Sequence, residues 1–263
     1  MRLSNRRRLV SNLVLAAAAT AWVAPHASRA DDRRFGFVEM TDTLLKGGLE
    51  TEQWFTWQTK TRDDSGFNKY IFKHELEYGI TNELQLGVDA LVWHIQTGQE
   101  KDGPRFDEVA AELKYRFTDP HTDLVGVAAK LEVGGGDRHV GVEGKVIVDK
   151  YIDKWLPAYN LVLEAEWGGP DFEDHEGEIV QSAGVSYEVT TGLFLGVELL
   201  HEIPLPDWQA SEKSNFFMGP NISYHRGAYE SGNWAITVTP LIRVSGGDEE
   251  PALQVRILFE LDF

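Results

Sequence analysis

From about residue 47 to its last residue, the chain alternates between apolar and polar side chains with period two. Tyr70, Phe72, Leu76, Tyr78 and Ile80 share one parity, and Lys69, Lys73, Glu75 and Glu77 share the other. After a turn at Thr81–Glu83, Leu84, Leu86, Val88, Ala90 and Val92 fall on one face, against Gln85 and Asp89. The same contrast sets Val109, Ala111, Leu113, Tyr115 and Phe117 against Glu108, Glu112, Lys114 and Arg116. It recurs with Val125 to Val133 against Lys130 and Glu132, and with Val140, Val142, Val146 and Val148 against Glu143, Lys145 and Asp149. Leu161, Leu163, Ala165 and Trp167 oppose Asn160, Glu164 and Glu166. Later strands centre on Val185, Val197, Ile222 and Val238. Period-two patterning is the mark of a strand with two unlike faces. With Thr51–Trp57 first and Val255–Phe263 last, it predicts about twelve strands.

Strands of this kind suit a soluble sandwich or a membrane barrel, since each has one apolar face. Three features point to a barrel. The polar face carries both signs of charge on neighbouring positions, such as Lys130 and Glu132, as a hydrated lumen would. The apolar parity continues through Leu261 to Phe263, where a soluble chain usually frays. Aromatic residues gather at both predicted strand ends: Tyr78, Phe117, Tyr187, Tyr224, Trp234 and Phe263 at one, Phe55, Trp57, Tyr70, Trp167 and Phe216 at the other. The predicted fold is all-β, an antiparallel up-and-down transmembrane β-barrel. Outer loops are expected at Lys60–Gly66, Thr97–Arg105, Gly168–Glu178 and Pro204–Ser214, longer than inner turns such as Thr81–Glu83 and Thr190–Gly192.

The chain start adds the destination. Arg2, Arg6, Arg7 and Arg8 precede an apolar run from Leu13 to Val23, and Ser28-Arg29-Ala30 supplies small residues at a cleavage site. Residues 1–30 are expected to be a secretory signal peptide. Residues 31–46 are an irregular N-terminal segment, expected to form an inner-side cap or an extra half-strand, and residues 47–263 the barrel. There is no cysteine, so no disulfide is expected. The formal net charge is −17, and loss of residues 1–30 with their five arginines takes it to −22. Such acidity disfavours nucleic-acid binding, which needs a basic footprint.

The segment from Glu75 to Val88, with its Tyr78-Gly79-Ile80-Thr81-Asn82-Glu83-Leu84 core, resembles a recurrent hairpin of outer-membrane porins. It is similar to those grouped with the phenol meta-degradation transporter-like family. The terminal Leu261-Asp262-Phe263 resembles the last strand of bacterial outer-membrane barrels. The resemblance implies a bacterial outer-membrane protein that admits small solutes. Its partners would be outer-membrane lipids and the barrel-assembly machinery, which reads Phe263 as an assembly signal.

Inward parity nominates the pore lining: Lys73, Glu75, Glu77, Asp89, Glu112, Lys114, Arg116, Lys130, Glu132, Glu143, Lys145, Glu164, Glu166, Glu188, Glu198, Arg243, Arg256 and Glu260. Rings of charge set selectivity, so a weakly cation-preferring pore is expected, or else a salt-bridged interior that holds a small barrel closed. His74 falls on the lipid face, with His94 read the same way, which raises an outer-membrane lipid-modifying hydrolase as an alternative. Ser182, Ser186 and Ser223 have the inward parity, so no nucleophile accompanies His74. The acidic run Asp171–Glu178 reads as a solvated loop and does not match a calcium-loop spacing. No enzyme activity, catalytic residue, metal or cofactor is expected. A non-conducting structural or adhesive barrel is the remaining alternative.

Overall fold

A computed structural model of the protein describes residues 33–98, 103–209, 214–226 and 233–263. The predicted signal peptide lies outside the described residues. Every regular element described is a strand: β1 (Leu49–Thr59), β2 (Asn68–Gly79), β3 (Leu84–Thr97), β4 (Gly103–Thr118), β5 (Gly126–Gly136), β6 (His139–Asp149), β7 (Trp155–Gly168), β8 (Asp174–Thr190), β9 (Leu193–Pro206), β10 (Asn215–Arg226), β11 (Trp234–Ser245) and β12 (Leu253–Asp262). Each is antiparallel to the next, and β12 pairs back onto β1, with Glu50 opposite Asp262 and Thr59 opposite Leu253. Closure leaves no edge strand, which is what allows a sheet to sit in hydrocarbon with its backbone groups paired.

The burial pattern follows the sequence parity. Glu75, Glu77, Glu112, Lys114 and Lys130 are buried, while Leu76, Tyr78, Leu113, Tyr115 and Leu131 are exposed on the outside. Exposed apolar side chains lie on every strand but β1, far more contiguous surface than a water-soluble protein tolerates. Lipid is the solvent that makes this exterior favourable. Rings gather near the end that holds both barrel termini: Tyr115 packs on Phe117, Trp155 on Tyr187, and Tyr224 and Phe259 on Trp234. At the far end Phe55 stacks with Tyr70 and Phe72 with Trp93. Ring pairs at both ends match the interfacial girdles of membrane barrels.

Two expectations need correction. An irregularity between Asp89 and Val92 shifts the β3–β4 register. An extra residue in a ladder reverses the parity beyond it. Ala90 and Leu91 both face outward, Val92 joins the lining of an inner cavity, and Trp93 turns out. His94 is therefore paired with the inward Ile71 and lies inside, with Nδ1 2.6 Å from Asp107 Oδ1, not on the lipid face. The loops also differ. β4 begins at Gly103, β8 at Asp174 and β9 runs to Pro206, so strands take up much of what was expected as outer loop. Five of the eight residues of the acidic run Asp171–Glu178 are strand, and Glu176 and Glu178 pair across to Glu166 and Glu164.

Candidate functional site

Residues 33–48 form neither a cap nor a half-strand; they run inside the barrel, and Phe35, Val38, Met40 and Leu44 are buried there. An extended segment away from a sheet still has backbone donors and acceptors to satisfy. Here the wall's side chains do it. Glu198 accepts from the backbone N–H of Gly36, Phe37 and Val38 at 2.8, 2.7 and 3.2 Å. Asn160 accepts from Glu39 N at 2.6 Å and donates to Glu39 O at 2.8 Å. Asp149 accepts from both the backbone N–H and the hydroxyl of Thr41 at 2.7 Å. Gln85 accepts from Leu44 N at 2.7 Å. Thr237 and Asn221 donate to the carbonyls of Arg33 and Arg34. Six strands thus clamp one run of backbone through inward polar residues.

Apolar contacts fill the spaces between these clamps. Phe35, Val38 and Met40 pack on Leu156 and Ala158 of β7, and Phe37 packs against a cluster of Leu200, Phe217 and Leu241. Gly184 makes room for this: a Cβ there would stand 2.6 Å from the Phe35 ring.

Charge then locks the centre. Lys114, Lys130 and Lys145 face one another across β4, β5 and β6. Directly opposed like charges destabilise a sheet. Glu39 of the segment resolves this, with its carboxylate 3.4, 3.3 and 2.9 Å from the three ammonium groups. The next inward row is acidic, Glu112, Glu132, Glu143, Glu164 and Glu178 on β4 to β8 in register. Lys130 reaches Glu112 at 2.6 Å and Glu132 at 3.6 Å, and Lys145 reaches Glu143 at 3.2 Å. On the adjoining wall, β1 to β3, Arg33 pairs with Glu52 at 2.8 Å and Glu77 at 3.4 Å, and Lys73 with Asp89 at 2.8 Å and Glu75 at 3.2 Å. Trp54 projects inward between them, its ring 5.4 Å from Arg33 and Lys73 and 5.3 Å from Arg256.

The nominated residues therefore fall into groups. Lys73, Glu75, Glu77, Asp89, Glu112, Lys114, Lys130, Glu132, Glu143, Lys145 and Glu198 meet around the segment. Arg256 joins them by donating to Gly36 O at 3.1 Å. Arg116 lies nearer the terminal end, 3.6 Å from Asp42. Glu260 lines a cavity there with Glu50 and Asp262. Glu188 is half-buried at the end of β8. Toward the far end, Glu164 continues the acidic row, Glu166 borders a small cavity with Asp174 and His175, and Arg243 donates to Gly247 O in the β11–β12 connection. Sequence reasoning missed Arg33 and Glu39 entirely, and passed over Glu50, Glu52 and Asp262. The last three carry the same inward parity as Trp54 and Glu260, so counting back from Phe263 and along β1 finds them. Phe263 is exposed, and its backbone N–H donates to Leu49 O at 2.9 Å.

His74 does face outward, with Nδ1 2.5 Å from Gln53 Oε1 and Nε2 accepting from Trp93 Nε1 at 3.2 Å. Both ring nitrogens are engaged by side chains that are not nucleophiles. Ser182 and Ser223 are inside, bonded to Asn160 and to the Arg33 carbonyl.

Cavities of about 200 and 240 Å3 remain in the lumen, both bordered by residues of the segment. The first is lined by Arg34, Asp42, Glu50 and Asp262 at the terminal end, the second by Phe37, Glu39, Lys73 and Glu132 farther in.

A closed up-and-down barrel, apolar outside and charged within, has the fold of a transmembrane β-barrel. The fold is similar to that of the COG4313 outer membrane channel from Pseudomonas putida F1, with a TM-score of 0.56 and 16% identity over 85% of this chain and 98% of that one. It is also similar to the NanC porin, with a TM-score of 0.50 and 9% identity over 82% of this chain and 98% of that one. At these identities the likeness is one of fold. The chain belongs to the family described as "Family of unknown function (DUF6662)", which matches residues 27–151 and 140–257. None of the curated proteins matches it.

Proposed function

We propose that the protein is an outer-membrane channel for small polar solutes, and that residues 33–48 are its gate. The observation that carries this reading is the way the segment is held. Its backbone is bound by Glu198, Asn160, Asp149 and Gln85, and its one central carboxylate by three lysines. These are polar contacts to groups that water can also satisfy, so displacing the segment leaves a lumen that hydrates readily. The terminal end would face the periplasm, so the gate would enter from that side. The acidic rows on the wall favour small cations and neutral polar molecules over anions.

The test is planar-bilayer recording on the processed protein and on a form lacking residues 33–46. The shortened barrel is expected to conduct more than the complete one, with a reversal potential that favours cations in a salt gradient. Repeated insertion of the shortened barrel without current would overturn the channel reading. Equal conductance of the two forms would overturn the gate.

A further inference from the structure

Three adjacent strands bring six carboxylates to the lumen in two rows. In one row Glu50 lies directly between Asp262 and Glu77, and in the next Glu52 lies directly between Glu260 and Glu75. All six are buried. Like charges facing each other across a ladder are unfavourable, and a buried charge needs a partner. Arg33 reaches Glu52 and Glu77, Lys73 reaches Glu75, and Trp54 Nε1 donates to Glu52 Oε2 at 2.7 Å. Glu50 is different: it is fully buried, it meets the Asp262 carboxyl, and among the described residues neither of its oxygens accepts a hydrogen bond from an amide, hydroxyl, ammonium or guanidinium donor.

From this geometry we infer that Glu50, Glu52 and Glu77 form a binding site for a hard divalent cation, with calcium the best fit. One oxygen from each of the three lies within 4.8 Å of the other two. Oxygens bound to one calcium at about 2.3–2.6 Å can be at most about 5 Å apart, so the trio closes on a single ion without rearranging the wall. Carboxylates on rigid strands are hard oxygen ligands, and the absence of cysteine and of histidine in the trio argues against softer metals. Glu50, Glu260 and Asp262 also line the cavity of about 200 Å3 at the terminal end, which supplies an entry path and room for the ion's remaining waters. Arg33 shares two of the three ligands, so guanidinium and ion compete for the same oxygens. The inference departs from the sequence expectation of no metal. It rests on the barrel fold and not on conduction, so its failure and the failure of the channel reading are separate results.

The competing solution is a proton shared between Glu50 and Asp262, which stand opposite each other. The test uses the processed protein folded in detergent, checked by heat-modifiable gel migration. Calcium is titrated by calorimetry, and terbium by luminescence excited through tryptophan, because Trp54 touches Glu52. The expected result is one calcium per barrel with a dissociation constant at or below about 1 mM, as in extracellular calcium modules, and calcium displacing terbium. Glu50→Gln should weaken binding by at least about tenfold, and Arg33→Ala should tighten it by a similar factor, the order expected for one charge a few ångströms from the ion. Trp54→Phe should keep the calcium heat and lose most of the sensitised emission. If Glu50→Gln does not fold, Glu52→Gln carries the same expectation. No calcium uptake by the unaltered protein, or equal uptake by the Glu50 and Glu52 variants, overturns the site. Stabilisation by Glu50→Gln that is the same with and without calcium assigns the pair a proton and overturns it as well.

Discussion

Lys145 Nζ lies 2.9 Å from Glu39 Oε2, joining the middle of β6 to a segment that precedes the first strand. The same carboxylate lies within reach of Lys114 and Lys130. Beside the wall's own Glu112, Glu132 and Glu143, this anion from outside the sheet is the one that reaches all three opposed lysines. Glu39→Gln removes that anion and leaves the lysines facing each other. Breaking a buried ion pair from one side costs about 3–5 kcal/mol. That is enough to shift the segment from seated to displaced, so the open fraction in single-channel recordings should rise while heat-modifiable migration stays normal. An unchanged open fraction would count against electrostatic seating.

Steric seating can be separated from electrostatic seating at Gly184. Its missing Cβ is the space that the Phe35 ring occupies. Gly184→Leu should expel Phe35 without altering any charge. Protease cleavage within residues 33–46 should become faster, and the open fraction should rise with unchanged ion preference. If Phe35 is not the steric anchor, cleavage will proceed at the rate of the unaltered protein.

The orientation of the wall has its own test at two neighbouring residues of β5. Leu131 is 54% exposed on the outside, while Glu132 faces the lumen beside Lys130. Leu131→Arg should destabilise the folded barrel by about 2–4 kcal/mol if the site is near mid-bilayer. Glu132→Gln should change stability by less than that and alter ion preference instead. Urea unfolding in lipid vesicles measures the first and reversal potential the second. Equal stability of the two variants would sink the assignment of faces.

At the chain end, Phe263 is exposed and held to β1 by one backbone hydrogen bond, so its ring contributes little to folded stability. Phe263→Ala should fold in detergent as the unaltered protein does, yet reach the outer membrane in lower yield in cells. Membrane fractionation reads this, and normal yield in cells would exclude a role for the ring in assembly.

The strand count and the antiparallel order were legible because a strand's side-chain period is two and each face meets a different solvent. That signal is local, and it fails where the local rule is broken. The bulge after Asp89 reversed Val92 and His94, since nothing in the composition of Ala90-Leu91 marks an extra residue. The Gly-Pro-Arg stretch at 103–105 and the acidic stretch at 174–178 looked like loops because turn-like or polar composition alone does not separate a hydrated strand end from a turn.

What the sequence determined by itself was the barrel: alternation, aromatic ends and a charged face are properties of neighbours along the chain. What only the tertiary structure decided was the contents of the lumen. Arg33, Phe35 and Glu39 carry no strand periodicity, and their partners Glu52, Gly184 and Lys145 lie on three separate strands. Only closure of the sheet brings those strands around one cavity, and only then do lone charges along the chain become a clamp on the segment and a carboxylate cluster beside it.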